Sequence, residues 1–493
     1  MKGFFGMSAI IAIVNKRGEN ATETAVAMLK MLKHKDVEDF GVASPNIVNI
    51  EKSIEALQNQ NVDSPVVVGH VFSKIFAHDK PQPMKFDDDA TLVFDGRIYP
   101  TTKVSDAEVV TKKLHNHKGT IKNLIDKCEG CFAFAVAEPK KIIVGRDVMG
   151  IHPFYYGENA DIAALASERK ALWRIGIKTV NSFPPGNMAF VDRNGFKFKP
   201  IKTLAYSKAK QTKMQASAKK LQKLLHRSVK ERVSGLSEVA VAFSGGLDSS
   251  IIAFLAANSG VDVHLIHVSL ENQQETEQAK KAAEELKLPI HAYIYDEKDV
   301  EKILPKVLWL IEETDPIKAS IGIPFYWTAE KAAEMKIKVM LAGQGADELF
   351  GGYKRYINDY LRYGSEKLRE TLFNDVLKLH ENNFERDFKI CNYHSVELRL
   401  PFATHQIAKF ATELPVELRI GTKDSGLRKL VLRRVAENLG LPQFIVKKPK
   451  RAIQYATGVN KTLEKLAAIK GVSMKEYMQE TFQTALKKMS RYE

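Results

Sequence analysis

The residues best suited to chemistry lie in the segment VAVAFSGGLDSSIIAFLAA, residues 239–257. A β-branched strand is predicted to end at Phe243, and a helix is predicted to begin near Ser249. Glycines between them allow a sharp turn and a close backbone approach to a ligand. Hydroxyls and free N–H groups at a helix start form a nest for an anion, and an acid there can hold Mg²⁺ against phosphates. The segment therefore predicts a phosphate-binding loop at the carboxyl end of a strand, formed by Ser244, Gly245, Gly246, Leu247, Asp248, Ser249 and Ser250.

A second glycine-rich segment, VMLAGQGADELFGGYKRY, follows about a hundred residues later. A strand is predicted to end at Ala342, and the loop after it contains Asp347 and Glu348. Acidic groups in a glycine loop beside a phosphate site suit magnesium coordination. The alternative is that the Asp-Glu pair only caps a helix.

The first segment is not a Walker A loop, because no Gly-Lys-Ser/Thr follows the glycines. Its Ser-Gly-Gly-x-Asp-Ser pattern instead resembles the pyrophosphate loop of enzymes that split ATP into AMP and pyrophosphate. The structural alternative is an ordinary strand-to-helix turn rich in small residues.

The elements that must position these loops change character along the chain. The first ~200 residues contain short alternating runs such as ATLVFDGRIY and GCFAFAVAE, which predict strands, and one helix at ATETAVAMLKMLKH. After a boundary near residues 200–212, strands alternate with helices, which predicts a parallel sheet covered on both faces. From about residue 350 the pattern is mostly helical.

The opening segment MKGFFGMSAIIAIV could begin a secretory signal or a buried first strand. Charged residues follow the apolar run directly, where a cleavage site would be needed, so a strand and a cytoplasmic protein are predicted. No apolar run has the length of a membrane span. Three cysteines among 493 residues favour a reducing compartment over a disulfide framework.

The net charge of +15 is interpreted as a lysine-rich solvated surface that attracts anionic substrates. A nucleic-acid partner is not predicted, because no basic run is interleaved with aromatic residues.

Together the two loops resemble those of asparagine synthetase and its relatives, including β-lactam synthetase. The resemblance extends to GRDVMGIHPFYY, ASERKAL and FPPGNMAFVD in the first half, and to SVELRLPF and KKPKRAIQYATGV in the second. It implies an α/β protein with an αββα sandwich of the N-terminal-nucleophile hydrolase type over residues 1–205. A parallel-sheet domain like the adenine nucleotide alpha hydrolases, with an ATP pyrophosphatase loop, is implied over residues 206–493.

The resemblance also implies cofactors and roles. ATP and Mg²⁺ are the expected cofactors, with Asp248 and Asp347 as magnesium ligands. Lys450 is expected to neutralise phosphate charge in both half-reactions, with Lys448 as the next candidate. Lys429, on a predicted helix, is a weaker candidate for phosphate contact and is more often solvated. The adenosine is expected to contact Phe243, Val268, Ala342 and Gly343.

Two departures from the family pattern concern the synthetase half. Gln344 replaces a glutamate tied to adenylate formation or ammonia deprotonation, and a glutamine cannot take a proton although it can orient a substrate. The segment DPIKASIGIP also lacks the arginine that aspartate-using members carry near Ser320. Glu397 and Arg399 are interpreted as a buried structural pair.

More departures concern the glutaminase half, whose family nucleophile is a cysteine exposed as the first residue after Met removal. This chain offers Lys2 or Ser8 instead, and KHKDV replaces Arg-His-Arg-Gly-Pro. Phe72 stands for the arginine that clamps the glutamine carboxylate. Of the residues that would grip glutamine only Asp106 survives, and the family's Asn-Gly-Glu is Asp95-Gly96-Arg97 here, in which the asparagine and the glutamate are changed. An inactive glutaminase on an intact scaffold is therefore predicted.

The expected activity is ATP-dependent activation of the aspartate side-chain carboxylate to an acyl-AMP, followed by amidation with free ammonia. One alternative is the same chemistry on another carboxylate, and another is a non-catalytic nucleotide-binding regulator. The expected partners are the small-molecule substrates. A homodimer stays open, as do the acceptor, the source of ammonia and the processing of the N-terminus.

Overall fold

A computed structural model describes residues 8–34, 37–58, 62–116, 121–421, 427–449 and 452–489. The chain divides into two compact units. The first comprises the described residues up to Thr203 together with Asn392–Ser395. The second comprises Leu204–Cys391 and the described residues from Val396 onward.

The first unit is built from short strands with few helices, as the alternating apolar runs predict. Its strands are β1 (Ala9–Asn15), β2 (Asp39–Ala43), β3 (Val48–Glu51), β4 (Val66–Phe72), β5 (Met84–Asp87), β6 (Ala90–Tyr99), β7 (Glu129–Glu138), β8 (Lys141–Arg146), β9 (Tyr155–Glu158), β10 (Ile162–Ala166), β11 (Asn181–Ser182), β12 (Asn187–Asp192) and β13 (Gly195–Pro200). Its helices are α1 (Thr22–Met31), α2 (Ile54–Gln58), α3 (Asp106–Asn116), α4 (Lys122–Lys127) and α5 (Arg169–Arg174).

These strands form two antiparallel sheets within the described residues. The strand order is β11-β9-β10-β1-β4-β2-β3 in one sheet and β13-β12-β8-β7-β6-β5 in the other. Apolar cores separate the layers: α1 and α5 pack against the first sheet, the two sheets pack against each other, and the second sheet packs against α3 and α4. The predicted αββα sandwich is confirmed.

Strand β1 explains the apolar opening segment. It lies between β10 and β4 in the first sheet. Ile11 and Ile13 face the helical layer, whereas Ile10, Ala12 and Val14 face the second sheet. Because side chains alternate between the two faces of a strand, both apolar sets are buried, and the segment is the predicted first strand.

The second unit alternates strands and helices and then becomes mainly helical. Its strands are β14 (Glu238–Ala242), β15 (Asp262–Leu270), β16 (Ile290–Tyr295), β17 (Val339–Leu341) and β18 (Glu397–Arg399). Its helices are α6 (Met214–Val233), α7 (Leu247–Ala257), α8 (Gln274–Leu286), α9 (Glu297–Ile311), α10 (Pro316–Glu334), α11 (Ala346–Phe350), α12 (Lys354–Leu377), α13 (Glu385–Tyr393), α14 (His405–Thr412), α15 (Leu430–Asn438), α16 (Gln443–Val446), α17 (Ile453–Ala456), α18 (Val459–Ile469) and α19 (Met474–Met489), with a π-helix at His380–Phe384 and a 3₁₀ turn at Val416–Leu418.

The strands of the second unit pair in parallel in the order β16-β15-β14-β17-β18, which confirms the predicted parallel sheet. Neighbours β14 and β17 carry the two glycine-rich loops at their carboxyl ends. Ligands bind at that edge of such sheets, so the fold brings the two predicted loops together.

Two boundaries differ from the prediction. Helix α7 begins at Leu247 rather than near Ser249, so Asp248 lies in its first turn. Asp347 and Glu348 lie in the short helix α11 rather than in the loop. The helix begins at Ala346, directly after Gly345, whose φ of +87° turns the chain. No helix in the described part of the chain is long and apolar enough to span a membrane.

Candidate active site

The predicted phosphate loop is held by its own hydroxyls. Ser244 Oγ lies 3.2 Å from Ser249 Oγ and accepts a hydrogen bond from the backbone N–H of Gly246 at 3.3 Å. The N–H of Ser244 donates to Ser249 Oγ at 3.3 Å. Ser250 is fully buried, and its Oγ has no hydrogen-bond partner among the described residues. The loop is therefore shaped before any ligand binds, at the N-terminus of α7, where an anion is favoured.

Gly245 is the residue that makes this loop possible. Its φ is +62°, and a Cβ at this position would lie 2.7 Å from the backbone Cα of Ala279 in α8. An L side chain is disfavoured on both counts. Glycine at position 245 is therefore required by the close contact between the loop and α8, in addition to any approach of a ligand.

Asp248 and Asp347, the two predicted magnesium ligands, are brought together by a lysine. Lys429 Nζ lies 2.6 Å from Asp248 Oδ2 and 2.7 Å from Asp347 Oδ1. The prediction that Lys429 lies on a helix and is solvated is wrong. It precedes α15 with a φ of +61° and is only 2% exposed.

The absence of a side chain at Gly352 leaves space for Asp347 and Lys429 to meet. A Cβ at Gly352 would lie 1.8 Å from Asp347 Oδ1 and 2.4 Å from Lys429 Cε. The N–H of Gly352 also donates to the carbonyl of Asp347 at 2.7 Å. The second glycine of the FGGY sequence therefore lets the lysine reach both carboxylates.

The residues present fit a magnesium ion. Carboxylate oxygens are the protein ligands that Mg²⁺ prefers, usually one or two of them with substrate phosphates completing the shell. Asp248 Oδ1 is buried and has no hydrogen-bond partner among the described residues. Among the described residues no cluster of three or more His, Cys, Asp or Glu could hold a metal ion.

A cavity of about 670 Å³ opens beside the two loops. Its lining includes Phe243, Val268, Ala342 and Gly343, the residues expected to contact adenosine. His267 also lines the cavity. Its Nδ1 lies 3.0 Å from the carbonyl oxygen of Phe243, and burial lowers its pKa. A neutral imidazole with Nδ1–H donating would therefore fix the start of the phosphate loop.

The cavity lining also contains polar side chains, Glu348 and Gln344 among them. Glu348 is buried and accepts hydrogen bonds from the Tyr353 hydroxyl at 2.5 Å and Asn383 Nδ2 at 2.7 Å. Burial raises its pKa, and the neighbouring charge of Asp347 raises it further. Gln344 donates from Nε2 to Asp387 Oδ2 at 2.6 Å.

The expected charge-neutralising lysine, Lys450, lies outside the described residues, and its role stays a prediction. Lys448 is described, and its Nζ lies 3.4 Å from the carbonyl oxygen of Gly245. A basic residue from this segment is therefore beside the phosphate loop.

Glu397 and Arg399 form the buried pair that the sequence suggested. Arg399 Nε donates to Glu397 Oε1 at 2.6 Å, and Arg399 also contacts the carbonyl oxygen of Arg232. Both side chains are at most 5% exposed. The pair ties β18 to α6.

The first unit contains the positions that correspond to the family's glutamine pocket. Arg97, at one of them, already pairs with acidic side chains. Arg97 makes two parallel hydrogen bonds to Asp79, at 2.7 and 2.8 Å, and a third to Asp106 at 3.2 Å. Its guanidinium also covers the Phe76 ring at 4.9 Å. Burial opposes the charge of Asp79, but the hydrogen bonds and charge of Arg97 outweigh it and lower its pKa.

The residues at the other positions of this pocket also contact neighbouring residues of the first unit. Asp95 is buried, with Oδ2 3.2 Å from His152 Nε2. Gly96 has a φ of +134°, and a Cβ there would lie 2.1 Å from the carbonyl oxygen of Cys131. Phe72 is 4% exposed at the end of β4, beside the ring of His70. Burial lowers the pKa of His70 to about 4.

Ser8, one of the two residues at the expected nucleophile position, lies just before β1. Its Oγ lies 3.5 Å from the carbonyl oxygen and 3.4 Å from the N–H of Ser73. Lys2, the other, lies outside the described residues, as does part of KHKDV.

Four residues of the site were missed or misjudged from the sequence. His267 was assigned no role and Asp387 was not considered. Glu348 was considered only as an acid suited to magnesium coordination or as part of a helix cap, and Lys429 was underrated. The segments ERDFK and LRKLVLRRV have the charge pattern of solvated helices. Only the tertiary structure reveals which of their charges are buried.

The fold and site define a chain that joins an amidotransferase-type sandwich to a nucleotide-binding parallel sheet. The family model described as asparagine synthase matches residues 220–364 and 357–487, and the one described as glutamine amidotransferase domain matches residues 55–182.

Similar proteins span most of the chain. A putative asparagine synthetase [glutamine-hydrolyzing] 1 of Methanocaldococcus jannaschii is 30% identical over 95% of this chain and 97% of its own. Asparagine synthetase B [glutamine-hydrolyzing] of Escherichia coli is 26% identical over 90% of this chain and 81% of its own. Among solved structures, the glutamine phosphoribosylpyrophosphate amidotransferase from B. subtilis is 16% identical over 58% of this chain and 65% of its own, with a TM-score of 0.35.

The chain belongs to the asparagine synthetase family. It is accordingly an ATP-dependent amide-forming ligase.

Proposed function

We propose that this chain uses ATP and Mg²⁺ to convert the side-chain carboxylate of aspartate into an acyl-AMP, and then amidates it with free ammonia. The observation that carries the proposal is the arrangement of Asp248, Asp347 and Lys429 beside the phosphate loop. The loop would hold the pyrophosphate, and magnesium bound by the two aspartates would neutralise charge as the α-phosphate is attacked.

The use of free ammonia is supported by the ion cluster in the first unit. Asp106 is the one family residue retained for gripping glutamine, and its carboxylate accepts hydrogen bonds from Arg97 and from the N–H of Ile98 at 3.2 Å. A guanidinium is therefore bonded to the carboxylate that the resemblance assigns to the substrate ammonium. Phe72 offers no charge to the substrate carboxylate, and Asp95 offers an acceptor where the oxyanion needs a donor.

One observation keeps a different carboxylate acceptor as a second candidate. The family's arginine near Ser320 is missing, and Ser320 itself is fully buried and donates to the carbonyl of Ile317 at 2.8 Å. The cavity lining includes the acidic Glu348 and the basic Arg386. An acceptor that carries a positive group as well as its carboxylate would suit a lining with both kinds of side chain.

ATP–pyrophosphate exchange with a panel of carboxylic acids tests the proposal. Exchange with aspartate supports it, and exchange with another acid but not aspartate supports the second candidate. No exchange with any acid, together with ATP binding, would contradict both and favour a nucleotide-binding regulator. The assay uses the full chain, with Asp262→Asn, a change at an exposed residue of β15, as the control for the Asp248→Asn variant discussed below.

A further inference from the structure

The amide of Gln344 is held in one orientation by a buried carboxylate. Gln344 Nε2 donates to Asp387 Oδ2 at 2.6 Å. A carboxylate can only accept hydrogen bonds, so it selects the nitrogen end of a facing amide. The carbonyl oxygen Oε1 of Gln344 must then point away from Asp387.

Asp387 is built to stay in place. It is fully buried, and Arg386 donates to it twice, from Nε to Oδ1 at 2.7 Å and from Nη2 to Oδ2 at 3.0 Å. Arg386 is tied in turn to the carbonyl oxygen of Asn382 at 3.1 Å. Burial raises the pKa of Asp387, whereas the charge and hydrogen bonds of Arg386 oppose that rise. Because a guanidinium only donates, both oxygens of Asp387 act as acceptors towards Arg386.

Gln344 lines the cavity but Asp387 does not, within the part of the chain that the structure describes. No hydrogen bond to Gln344 Oε1 is formed by any described residue. Gln344 directly follows Ala342 and Gly343, which are expected beneath the nucleotide. Its Oε1 is thus a neutral acceptor that a substrate in the cavity could use.

The chemistry of the second half-reaction needs such an acceptor. The nitrogen of ammonia bonds to the acyl carbon, the carbon–oxygen bond to AMP breaks, and AMP leaves with the electron pair. One proton leaves the nitrogen for solvent. Positive charge develops on the attacking N–H groups, and a fixed carbonyl dipole stabilises it without accepting the proton.

We propose that Asp387 is a positioning residue that fixes Gln344 with its Oε1 towards the acyl group, so that the site orients ammonia by hydrogen bonding instead of by a carboxylate base. The inference deepens the proposed function and rests on it. It assigns a role to both residues: Asp387 orients the amide, and Gln344 presents the oriented oxygen to the substrate.

The test separates the two half-reactions in four proteins: wild type, Asp387→Asn, Gln344→Glu and the double variant. Exchange of pyrophosphate into ATP reports adenylation, and amide formation against ammonium concentration gives kcat and KM for ammonia. In Asp387→Asn either end of the Gln344 amide can face residue 387, so amide formation should fall by about ten- to a hundredfold, as for a misplaced group. Exchange should stay within about threefold of wild type.

Gln344→Glu places two carboxylates in contact and should also impair amide formation. The double variant restores one donor and one acceptor with their positions exchanged, since the amide introduced at position 387 can donate to the carboxylate introduced at position 344. It should therefore form amide faster than either single variant. Glu397→Gln, which removes the carboxylate of another buried arginine pair, is the control: it should lower the melting temperature without changing the ratio of the two rates.

Equal loss of exchange and amide formation in Asp387→Asn, or a double variant no better than the single ones, would overturn the inference and leave the proposed function intact. Absence of exchange in the wild-type protein would overturn the proposed function, and this inference with it.

Discussion

The ammonium of Lys429 lies between the two carboxylates that would hold magnesium. Its Nζ lies 2.6 Å from Asp248 Oδ2 and 2.7 Å from Asp347 Oδ1, so one positive charge offsets part of the charge of both. Two carboxylates sharing a site without a cation repel each other. The lysine therefore stabilises the close approach of the two aspartates, which would hold the magnesium ion that neutralises phosphate charge.

Asp248→Asn should abolish AMP formation, because an amide replaces one of two metal ligands and loses its charge against Lys429. Loss of a preorganised electrostatic contact of this kind reduces rates by about 10²–10³. Pyrophosphate release measures the effect, and Asp262→Asn is the matched control. Turnover at the wild-type rate would contradict the magnesium role.

Lys429→Met should destabilise the metal-free protein, because it removes the ammonium that contacts both carboxylates. Removing one partner of a buried ion pair costs about 3–5 kcal/mol. Mg²⁺ should then raise the melting temperature of the variant more than that of wild type. Lys465→Met, at an exposed lysine paired with Glu297, controls for loss of a surface charge. An equal response to Mg²⁺ in all three proteins would contradict the bridging role.

Lys450→Ala should lower pyrophosphate release by orders of magnitude, since one charge contact on the phosphate is worth about 3–4 kcal/mol. Lys448→Ala is the comparison, because Lys448 Nζ lies near the carbonyl of Gly245. If Lys450→Ala loses less than about tenfold and Lys448→Ala loses more, then Lys448 is the charge-neutralising residue.

At the scale of elements, the phosphate loop depends on how closely α8 approaches it. Gly245→Ala should weaken ATP binding, because the new Cβ meets the backbone of Ala279 at 2.7 Å as well as an unfavourable φ of +62°. Backbone strain alone amounts to about 1–3 kcal/mol. Gly260→Ala is the control, with a φ of +81° and nothing within 4 Å of its Cβ. Calorimetric titration with ATP compares the two, and equal losses of affinity would mean that the contact with α8 does not matter.

The sequence predicts an element well where local signals agree. Strand β14, the loop and α7 were foreseen because β-branched residues, two glycines and a polar helix start occur in that order. The sequence predicts the helix start near Ser249, two residues too late. Serine is a favoured N-cap residue, but the observed N-cap is Gly246.

Roles that arise only from tertiary contacts could not be predicted. Lys429 and the exposed lysines have the same local signal, and burial between two distant aspartates distinguishes it. Asp387 lies 43 positions from Gln344, so nothing in its neighbourhood indicates the contact. Such pairs can be identified only in the packed fold, whereas helices, strands and glycine loops can be predicted from the sequence.

At the scale of the whole molecule, the chain keeps a complete αββα scaffold while the residues that would grip glutamine have changed together. Arg97 and Asp106 contact each other, and Asp79 completes the cluster. The buried strand β1 is required by both faces of its sheet. Packing therefore requires the strand whether or not the unit hydrolyses glutamine.

The full chain should release no glutamate from glutamine, and amide synthesis should depend on ammonium, rising with pH as free ammonia increases. Substrate binding and transition-state stabilisation would both be missing, because Phe72 carries no charge and Arg97 opposes the substrate ammonium. Glutamate is measured with ammonia-free protein, alongside a glutamine-hydrolysing amidotransferase as positive control. Mass spectrometry of the intact N-terminus is decisive for Ser8, whose amine could act as base only if it were the first residue. Glutamate release well above background, with Ser8 found at the N-terminus, would restore the unit as a glutaminase.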